Sequence, residues 1–373
     1  MKICQIAHVY HPDLVPDAFG AHDFAKRIIG TGNESCAVTW SFLRPCSVRE
    51  TIDGVEIIRL RGANIKIPPA IREYPFLFGM TEAIRELRPD LIQAHSHLFL
   101  PSLQAIRIAR AERIPIVVTI RGLIAERGPI VDAAQWAYII TVCKAFLPKA
   151  DLVVCLTDYE RNILASLGFN CEIEVIPNGV DTEVFKPGQS KDPYLITWVG
   201  RMVPEKGLEF LLRAMVLLQT EVPESRLVMI GDGPLMPQLR EMADKLELGH
   251  ACVFLGQMGV GDVSKILGSS SAFVLPSLSE GLPKALLEAM SCGNALIASD
   301  MPQLSGVVES GKDGTLVKMR DSAALADALG QLLQDQKLLR RFGLNARQKA
   351  VDVYSATRIV RRYLDAYSTL TVH

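Results

Sequence analysis

The sequence lacks the motifs that mark several large protein classes. Its eight cysteines form no Cys-x-x-Cys pair and show no zinc-like spacing with histidine. It contains no Gly-x-x-x-x-Gly-Lys-Ser/Thr loop, so the class of P-loop nucleoside triphosphatases is excluded. It also has no Asp-x-Asp pair of the kind that holds a divalent metal on a diphosphate. We therefore expect neither a structural zinc nor a metal bound through such a pair.

Long hydrophobic runs, a signal peptide and an excess of basic charge are also missing. No uncharged apolar run approaches the roughly 20 residues that span a bilayer, and the N-terminus becomes polar too early for a signal peptide. The 40 Lys and Arg residues are balanced by 41 Asp and Glu residues, which argues against nucleic acid as the main partner. Several cysteines lie in apolar strand-like runs, as is typical of a reducing compartment. We expect a cytoplasmic protein, or one peripheral at the inner face of the membrane.

The sequence does contain a regular alternation of short apolar runs and helix-length segments. This alternation is typical of parallel sheets in an α/β architecture, and 373 residues suffice for two domains. The pattern restarts after a stretch rich in Pro, Gly and Asp near residues 177–193, which we interpret as a linker. We predict two α/β domains, 1–177 and 178–352, with ligands bound in a cleft between their sheets. A last helix at about 353–370 is predicted to pack back on the first domain.

One segment of the first domain, residues 131–147, is apolar nearly all round. Such a segment is either a helix buried in the core or a surface that meets a membrane or an apolar acceptor. Burial is the ordinary explanation, and we predict a buried helix.

The stretch SLSEGLPKALLEAMSCGN places two acids beside the start of a helix. Glu280 lies in a turn rich in Gly and Pro, and Glu288 follows eight positions later on the helix that the turn opens. Pro283 suits a first helical turn, and the N–H groups of Gly281 and Leu282 are left without helical partners. Such a corner can hold a phosphate while the carboxylates accept hydrogen bonds from hydroxyls. The alternative is an ordinary capped helix with two surface glutamates.

A second motif, LITWVGRMVPEKG, brings two cations to the end of a strand. The strand ends at Gly200, and Arg201 and Lys206 flank the loop that follows. A guanidinium and an ammonium at this position can neutralise a diphosphate, whereas the alternative is a pair of solvated surface charges.

A third motif, VMIGDGP, resembles the beginning of a dinucleotide-binding fingerprint. It lacks the third glycine, and Pro234 follows the second. Binding of a nicotinamide dinucleotide is therefore disfavoured.

The first domain offers candidates at the ends of its strands. Gly20 lies between the first strand and a helix, where a glycine lets the backbone approach a phosphate. His95 and His97 follow the strand LIQA, and Arg121 follows IPIVVTI, so their side chains are expected to project toward the cleft on its acceptor side. The alternatives are a plain strand-to-helix loop and histidines that only form structural hydrogen bonds.

Taken together, these motifs resemble the retaining glycosyltransferases of family 4, which have the GT-B fold of two Rossmann-like domains with parallel sheets facing a central cleft. The resemblance is carried by IPNGVD at 176–181, GRMVPEKG at 200–207, VMIGDGP at 228–234, VFLG at 253–256, and the E-x7-E run EGLPKALLE at 280–288. It covers the second domain in order and the first domain more loosely.

The resemblance implies metal-independent transfer of a hexose, without a cofactor and with retained anomeric configuration. The donor is a nucleotide sugar, and the acceptor a glycan, a lipid-linked molecule or a small molecule. Arg201 and Lys206 would hold the leaving diphosphate, Glu280 the sugar hydroxyls and Glu288 the ribose. The remaining contacts with the donor are assigned to the backbone of Gly20, Gly200, Gly281, Leu282 and Pro283.

Two positions depart from the family pattern. Phe19 replaces the first glycine of the family's N-terminal Gly-Gly loop, which puts the contact through Gly20 in doubt. Arg121 stands where many members carry a histidine, so a histidine-assisted step cannot be carried over. A sugar-nucleotide epimerase or phosphorylase of the same fold, and a non-catalytic protein that binds nucleotide sugars, are the alternative functions. Peripheral membrane contact through the first domain is a further expectation.

Overall fold

The computed structural model describes residues 1–12, 16–41, 46–66, 73–124 and 128–371. By its internal contacts the chain divides into two compact units. One consists of Met1–Pro177 with Val360–His373, and the other of Asn178–Ile359. Each unit has its own parallel sheet and its own hydrophobic core.

The first unit is built from ten strands and six helices, within the described residues, before the chain enters the second unit. The strands are β1 (Lys2–Ile6), β2 (Glu34–Trp40), β3 (Val48–Ile52), β4 (Val55–Leu60), β5 (Gly62–Lys66), β6 (Glu73–Leu77), β7 (Leu91–His95), β8 (Ile116–Thr119), β9 (Leu152–Cys155) and β10 (Ile173–Val175). The helices are α1 (Pro16–Ile29), α2 (Met80–Leu87), α3 (Leu100–Glu112), α4 (Pro129–Tyr138), α5 (Lys144–Phe146) and α6 (Asp158–Ser166). A π-helical turn, Ile139–Cys143, joins α4 to α5.

The main sheet of the first unit has the strand order β10-β9-β8-β7-β1-β2-β4-β3, and only β3 runs antiparallel to its neighbour. The strands β7, β8 and β9 are buried along their whole length. They consist mostly of apolar residues because helices cover both faces of a parallel sheet. A separate antiparallel hairpin is formed by β5 and β6.

The second unit has a six-stranded parallel sheet in the order β13-β12-β11-β14-β15-β16. The strands are β11 (Asp192–Val199), β12 (Arg226–Ile230), β13 (Cys252–Gly256), β14 (Ser270–Leu275), β15 (Ala295–Ser299) and β16 (Gly314–Val317). The helices are α7 (Leu208–Glu221), α8 (Met236–Lys245), α9 (Val260–Ser269), α10 (Lys284–Ser291), α11 (Ser322–Gln334), α12 (Gln336–Val353) and α13 (Ala356–Thr371).

The order of the strands defines where a ligand can bind in each sheet. In the second unit the chain runs from β11 outward through β12 and β13, and then returns to β14 on the other side of β11. The connections that leave β11 and β14 therefore diverge, which leaves an opening at their carboxyl ends. The same reversal occurs between β1 and β7 in the first unit.

The chain passes from one unit to the other between Pro177 and Asn178. The residues after this point are not a loose linker, because they pack on the second unit. The side chain of Phe185 is 6% exposed, and the Arg347 guanidinium donates hydrogen bonds to the carbonyls of Thr182 and Phe185, both at 3.1 Å.

The last helix, α13, belongs to both units. Its first residue, Ala356, donates a backbone hydrogen bond to the Val180 carbonyl at 2.8 Å in the second unit. From Val360 onward the helix lies on the first unit. There the hydroxyl groups of Tyr363 and Thr119 are 3.5 Å apart, and the ring of Tyr367 is fully buried.

The prediction of a buried helix at residues 131–147 is wrong. The structure has a continuous helix at Pro129–Lys149, which is long and apolar enough to cross a membrane by length and composition alone. Only one stripe of it, Ile139, Cys143 and Leu147, is buried in the core of the first unit. The physical reason is that the apolar residues of the opposite side face away from that core, and Ile130 is 79% exposed. Trp136, Tyr138 and Phe146 pack against the core but are only partly buried.

Candidate active site

Two loops that follow neighbouring strands form the candidate site of the second unit. The loop after β11 carries Arg201 and Lys206, and the loop after β14 carries Glu280. The Leu278 amide donates a hydrogen bond to the Glu205 carbonyl at 2.8 Å, which ties one loop to the other. The site therefore lies where the connections of the sheet diverge.

Lys206 and Glu280, which are 74 residues apart in the sequence, form an ion pair. The ammonium Nζ of Lys206 lies 2.5 Å from Oε1 of Glu280, and the Ser277 hydroxyl donates to the same oxygen at 2.7 Å. Among the described residues, no other side chain pairs with the Lys206 ammonium and none bonds to Oε2 of Glu280. Two ammonium hydrogens and one carboxylate oxygen therefore remain for a ligand.

Glu288 lies about one turn into α10, which begins directly after Pro283. Its carboxyl keeps some surface exposure, but protein surrounds most of it. This desolvation raises the pKa of Glu288 to about 7, and nearby Lys284 opposes the effect only in part. The turn ahead of the helix is held in place by Asn178, whose side-chain amide donates to the Leu282 carbonyl at 2.8 Å.

Arg201 is exposed, and no described residue forms an ion pair or hydrogen bond with its guanidinium. The backbone on each side of it is fixed to the loop after β12. The Gly200 amide donates to the Ile230 carbonyl at 3.0 Å, and the Met202 amide donates to the Asp232 carbonyl at 2.9 Å. The structure thus brings Lys206 and Glu280 into contact. Arg201, on the same loop as Lys206, forms no ion pair or hydrogen bond with either of them within the described residues.

Two glycines that the sequence analysis did not select hold these loops close together. Gly231 has φ of 128°, and a Cβ at this position would lie 1.8 Å from the Gly200 carbonyl oxygen. Gly207 has φ of 61°, and its Cβ would lie 2.3 Å from the Pro276 carbonyl oxygen. The motif IGDGP therefore serves loop packing at the site, and a glycine directly after a strand was the available signal.

In the first unit, the structure brings His95 and Arg121 together. The Nε2 of His95 lies 2.6 Å from Oε1 of Gln5 on β1, and NH2 of Arg121 lies 3.1 Å from Nδ1 of His95. Because an arginine only donates, Nδ1 is the acceptor, and the hydrogen of a neutral ring is on Nε2. His95 therefore connects the ends of β1 and β7 to the loop after β8.

His97 and Gly20 lie in surroundings different from those expected. The rings of His95 and His97 are buried, at 6% and 1% exposure, rather than projecting from the sheet. The carbonyl of His97 accepts a hydrogen bond from the Tyr138 hydroxyl at 3.2 Å. Gly20 lies inside α1, which already begins at Pro16, so it is not in the preceding loop. The side chain of Phe19 lies outside the described part of the structure.

Comparison with known protein families finds a matching family model for each half of the chain. Residues 20–184 match the model described as Glycosyltransferase Family 4, and residues 180–349 match the model described as Glycosyl transferases group 1. The chain belongs to glycosyltransferase family 4.

Curated relatives of this family 4 glycosyltransferase span most of its length. A UDP-Gal:alpha-D-GlcNAc-diphosphoundecaprenol alpha-1,3-galactosyltransferase of Escherichia coli is 29% identical over 325 residues, which cover 81% of each chain. An N-acetyl-alpha-D-glucosaminyl L-malate synthase of Bacillus anthracis is 25% identical over 309 residues, which cover 79% of each chain.

Solved structures show that this glycosyltransferase has the GT-B fold. A sucrose-phosphate synthase from Thermosynechococcus elongatus superposes with a TM-score of 0.78 at 20% identity, covering 99% of this chain and 98% of the other. HepE of Anabaena, solved in complex with UDP-glucose, gives a TM-score of 0.76 at 17% identity, covering 99% and 100%.

A further buried residue of the glycosyltransferase, Glu160, lies near the loop that carries Arg121. Glu160 is 1% exposed, and its carboxylate accepts hydrogen bonds from the amides of Leu156 at 2.8 Å and Thr157 at 3.3 Å. Desolvation raises the pKa of Glu160 to about 7, while these amides and the nearby amide of Gly122 act to lower it. The capping-box pattern T-x-x-E could have identified Glu160 from the sequence.

Proposed function

We propose that this family 4 glycosyltransferase moves a hexose from a nucleotide sugar to an acceptor, with retained anomeric configuration and without a metal ion. The observation that carries the proposal is the ion pair between Lys206 and Glu280, at the ends of the neighbouring strands β11 and β14. A cation next to a carboxylate matches a donor that has an anionic diphosphate next to a hydroxyl-bearing sugar.

In this proposal, each side chain binds one part of the donor. Arg201 and the two remaining ammonium hydrogens of Lys206 bind the diphosphate, together with the backbone of Gly200 and the turn Gly281–Pro283 ahead of α10. The free Oε2 of Glu280 accepts a hydrogen bond from a sugar hydroxyl. The carboxylate of Glu288 accepts hydrogen bonds from the ribose.

The transfer step breaks the bond between the anomeric carbon and the diphosphate oxygen, and the electron pair leaves with that oxygen. Lys206 and Arg201 stabilise the charge that develops on the leaving group. The acceptor oxygen attacks the anomeric carbon on the same face, and its proton passes to the departing phosphate. This cationic clamp supplies the charge stabilisation for which other enzymes use a divalent metal.

A double displacement through Glu280 is less well supported. Its Oε1 already accepts hydrogen bonds from both Lys206 and Ser277, at 2.5 and 2.7 Å. A carboxylate whose negative charge is stabilised by an ammonium and a hydroxyl is a weaker nucleophile, even through its free Oε2. Hydroxyl binding is therefore the role that we assign to Glu280.

The proposed function predicts that one class of nucleotide sugar raises the unfolding temperature of the protein and is consumed when an acceptor is present. UDP-, GDP- and ADP-sugars would be compared by thermal shift, because a ligand that binds only the folded state raises apparent stability. NMR of the product from the stabilising donor should then show the donor's anomeric configuration. An inverted product would contradict the retaining mechanism, and conversion of the sugar without an acceptor would indicate an epimerase.

A second prediction follows from the raised pKa of Glu288. If the ionised carboxylate binds the ribose, the dissociation constant of the donor should fall about tenfold between pH 6 and pH 8, because the carboxyl loses its proton near pH 7. A nucleotide sugar is the suitable ligand, since its diphosphate does not titrate in this range. Isothermal titration calorimetry would measure the effect.

The control for the Glu288 prediction is Glu288→Gln, which cannot titrate. This variant should bind the donor more weakly at pH 8 and show a flat pH profile. If it kept the tenfold pH dependence of the original protein, ribose binding by Glu288 would be ruled out.

We further propose that the acceptor side lies on the first unit, around His95, His97 and Arg121, and that the acceptor is a glycan, a lipid-linked molecule or a small molecule. The Escherichia coli relative is named for an acceptor linked to diphosphoundecaprenol, which supports a lipid-linked acceptor. All eight cysteines are free, which supports a cytoplasmic location, with peripheral contact at the inner face of the membrane.

A further inference from the structure

The helix Pro129–Lys149 has an outer face without charge over most of its length. Its exposed residues recur every three to four positions and so share one face of the helix. Between the start of the helix and the end of its π-helical turn at Cys143, the exposed side chains are Pro129, Ile130, Ala133, Ala134, Ala137, Ile140 and Thr141. Surface helices of soluble proteins usually carry charged residues on this side. We call these seven residues the outer face.

The opposite side of the helix is anchored to the first unit. Ile139, Cys143 and Leu147 recur every four residues and are 0%, 1% and 1% exposed. The Tyr138 hydroxyl is hydrogen-bonded to the His97 carbonyl. Crossing a bilayer would pull this stripe out of the core, so the helix can lie on a membrane but not span it.

Basic side chains collect at the C-terminal end of the helix. Arg107 lies 4.9 Å from the centre of the Phe146 ring, and Lys149 lies 5.1 Å from it. Arg110 donates to the Lys149 carbonyl, and Lys144 is exposed one turn earlier. We call these four cations the basic rim.

Among the described residues, one acid, Asp151, pairs with the basic rim, at 3.3 Å from Arg110. The rim therefore carries four positive charges against one negative charge, although the whole chain has a net charge of −1. Each Lys or Arg held near an anionic lipid surface strengthens binding about fivefold. An uncharged apolar face next to a basic rim is the pattern of a helix that lies in a membrane interface.

We propose that the outer face and the basic rim dock the first unit onto the surface of an anionic lipid bilayer. The outer face is about 20 Å long and one helix wide, or roughly 200 Å², whereas a stable protein–protein interface buries roughly 800 Å² on each partner. A second copy of the chain is therefore a weaker candidate for its occupant. A bilayer needs no matching surface and accepts a narrow apolar strip.

Docking in this way would place the acceptor side of the first unit near the membrane. The helix is hydrogen-bonded to His97, which is two residues from His95 and its partner Arg121. This consequence rests on the proposed function, but the docking itself does not. Flotation of the full chain with vesicles tests the docking without measuring sugar transfer.

The expected result is that the protein floats with vesicles of phosphatidylcholine and phosphatidylglycerol, binds pure phosphatidylcholine weakly, and is released by salt. The double variant Ile130→Glu/Ile140→Glu should bind at least tenfold more weakly. Lys144→Gln/Lys149→Gln should bind the anionic vesicles roughly twentyfold more weakly and the neutral vesicles unchanged. The matched controls are Leu344→Glu, which changes a leucine that is 71% exposed on α12, and Lys245→Gln on α8; both should bind normally.

Thermal unfolding and donor binding equal to those of the original protein would show that the variants fold. The proposal is overturned if the protein does not float with anionic vesicles, or if the double glutamate variant floats normally. It is also overturned if ultracentrifugation finds a dimer that the double variant dissociates while vesicle binding is absent. Flotation without transfer from any nucleotide sugar, to soluble or to lipid-linked acceptors, would leave the docking intact and contradict the proposed function instead.

Discussion

Replacing Lys206 with Ala is expected to lower kcat for sugar transfer by roughly a hundred- to a thousandfold. The ammonium is assigned to the leaving diphosphate, where charge develops as the anomeric bond breaks, so its loss acts mainly on the transition state. The substitution also leaves the Glu280 carboxylate without its ion-pair partner, at 7% exposure. Steady-state kinetics with a saturating donor should therefore show a fall in kcat that is larger than any rise in KM.

The matched control is Lys245→Ala, which removes a lysine from an exposed pair with Glu241 on α8. This variant should keep full activity, since surface pairs contribute little to stability. The two variants should have similar circular dichroism spectra, so that lost activity cannot be attributed to unfolding. A Lys206→Ala enzyme with a near-normal kcat would refute the assignment of Lys206 to the diphosphate.

Glu280→Gln separates the two halves of the ion pair. The amide keeps the shape of the side chain but removes the charge that balances Lys206, and its NH2 group cannot accept a hydrogen bond from a sugar hydroxyl. We expect donor use to suffer more than acceptor affinity. If only the acceptor KM changed, Glu280 would belong to the acceptor side.

Of the sixteen strands in the described residues, thirteen overlap short apolar runs such as LIQA and IPIVVTI, and these could be predicted from the sequence. Three other strands, β3, β5 and β6, were not predicted. The segment VRETI of β3 is polar because it is a half-exposed antiparallel edge strand with no continuous apolar pattern. The hairpin of β5 and β6 contains Pro75, and a proline ordinarily argues against a strand.

The order of the strands was beyond the reach of the sequence alone. Periodicity shows which face of a segment is apolar, but not which strand lies beside which, because that depends on contacts between distant residues. The contact between Lys206 and Glu280 follows from β11 and β14 being neighbours, although two strands lie between them in the chain. Both side chains could be selected from their motifs, whereas their ion pair required the structure.

The side chains of the first unit show a second limit. Position at a strand end was the reason for selecting His95 and Arg121, and the structure brings their side chains together. That position did not predict that both histidine rings are buried. Burial depends on what packs over a residue, and here the helix Pro129–Lys149 contributes Tyr138 beside His97. The same limit explains the wrong prediction for that helix, since composition alone cannot tell a buried apolar surface from an exposed one.

Replacing Gly231 with Ala is expected to destabilise the protein by about 3 kcal/mol or more, and to abolish most of the activity although Gly231 is assigned no contact with substrate. A φ of 128° is strained for any residue with a side chain, and the new Cβ would meet the Gly200 carbonyl oxygen at 1.8 Å. To relieve this clash, the loop that carries Arg201 must move away from the loop after β12. Urea unfolding and kcat should therefore be measured on the same sample, with donor binding as a third readout.

The control is Gly261→Ala on α9, where nothing lies within 4 Å of the added Cβ and φ is not in the left-handed region. An alanine inside a helix is favoured over glycine, so this variant should be more stable by about 0.5–1 kcal/mol and keep full activity. The contrast isolates close packing from the general cost of losing a glycine. If Gly231→Ala were as stable and active as Gly261→Ala, the loops could separate without cost, and the contact between Gly200 and Gly231 would not be what positions Arg201. If it were destabilised but bound and used the donor normally, the packing of these loops would serve folding alone.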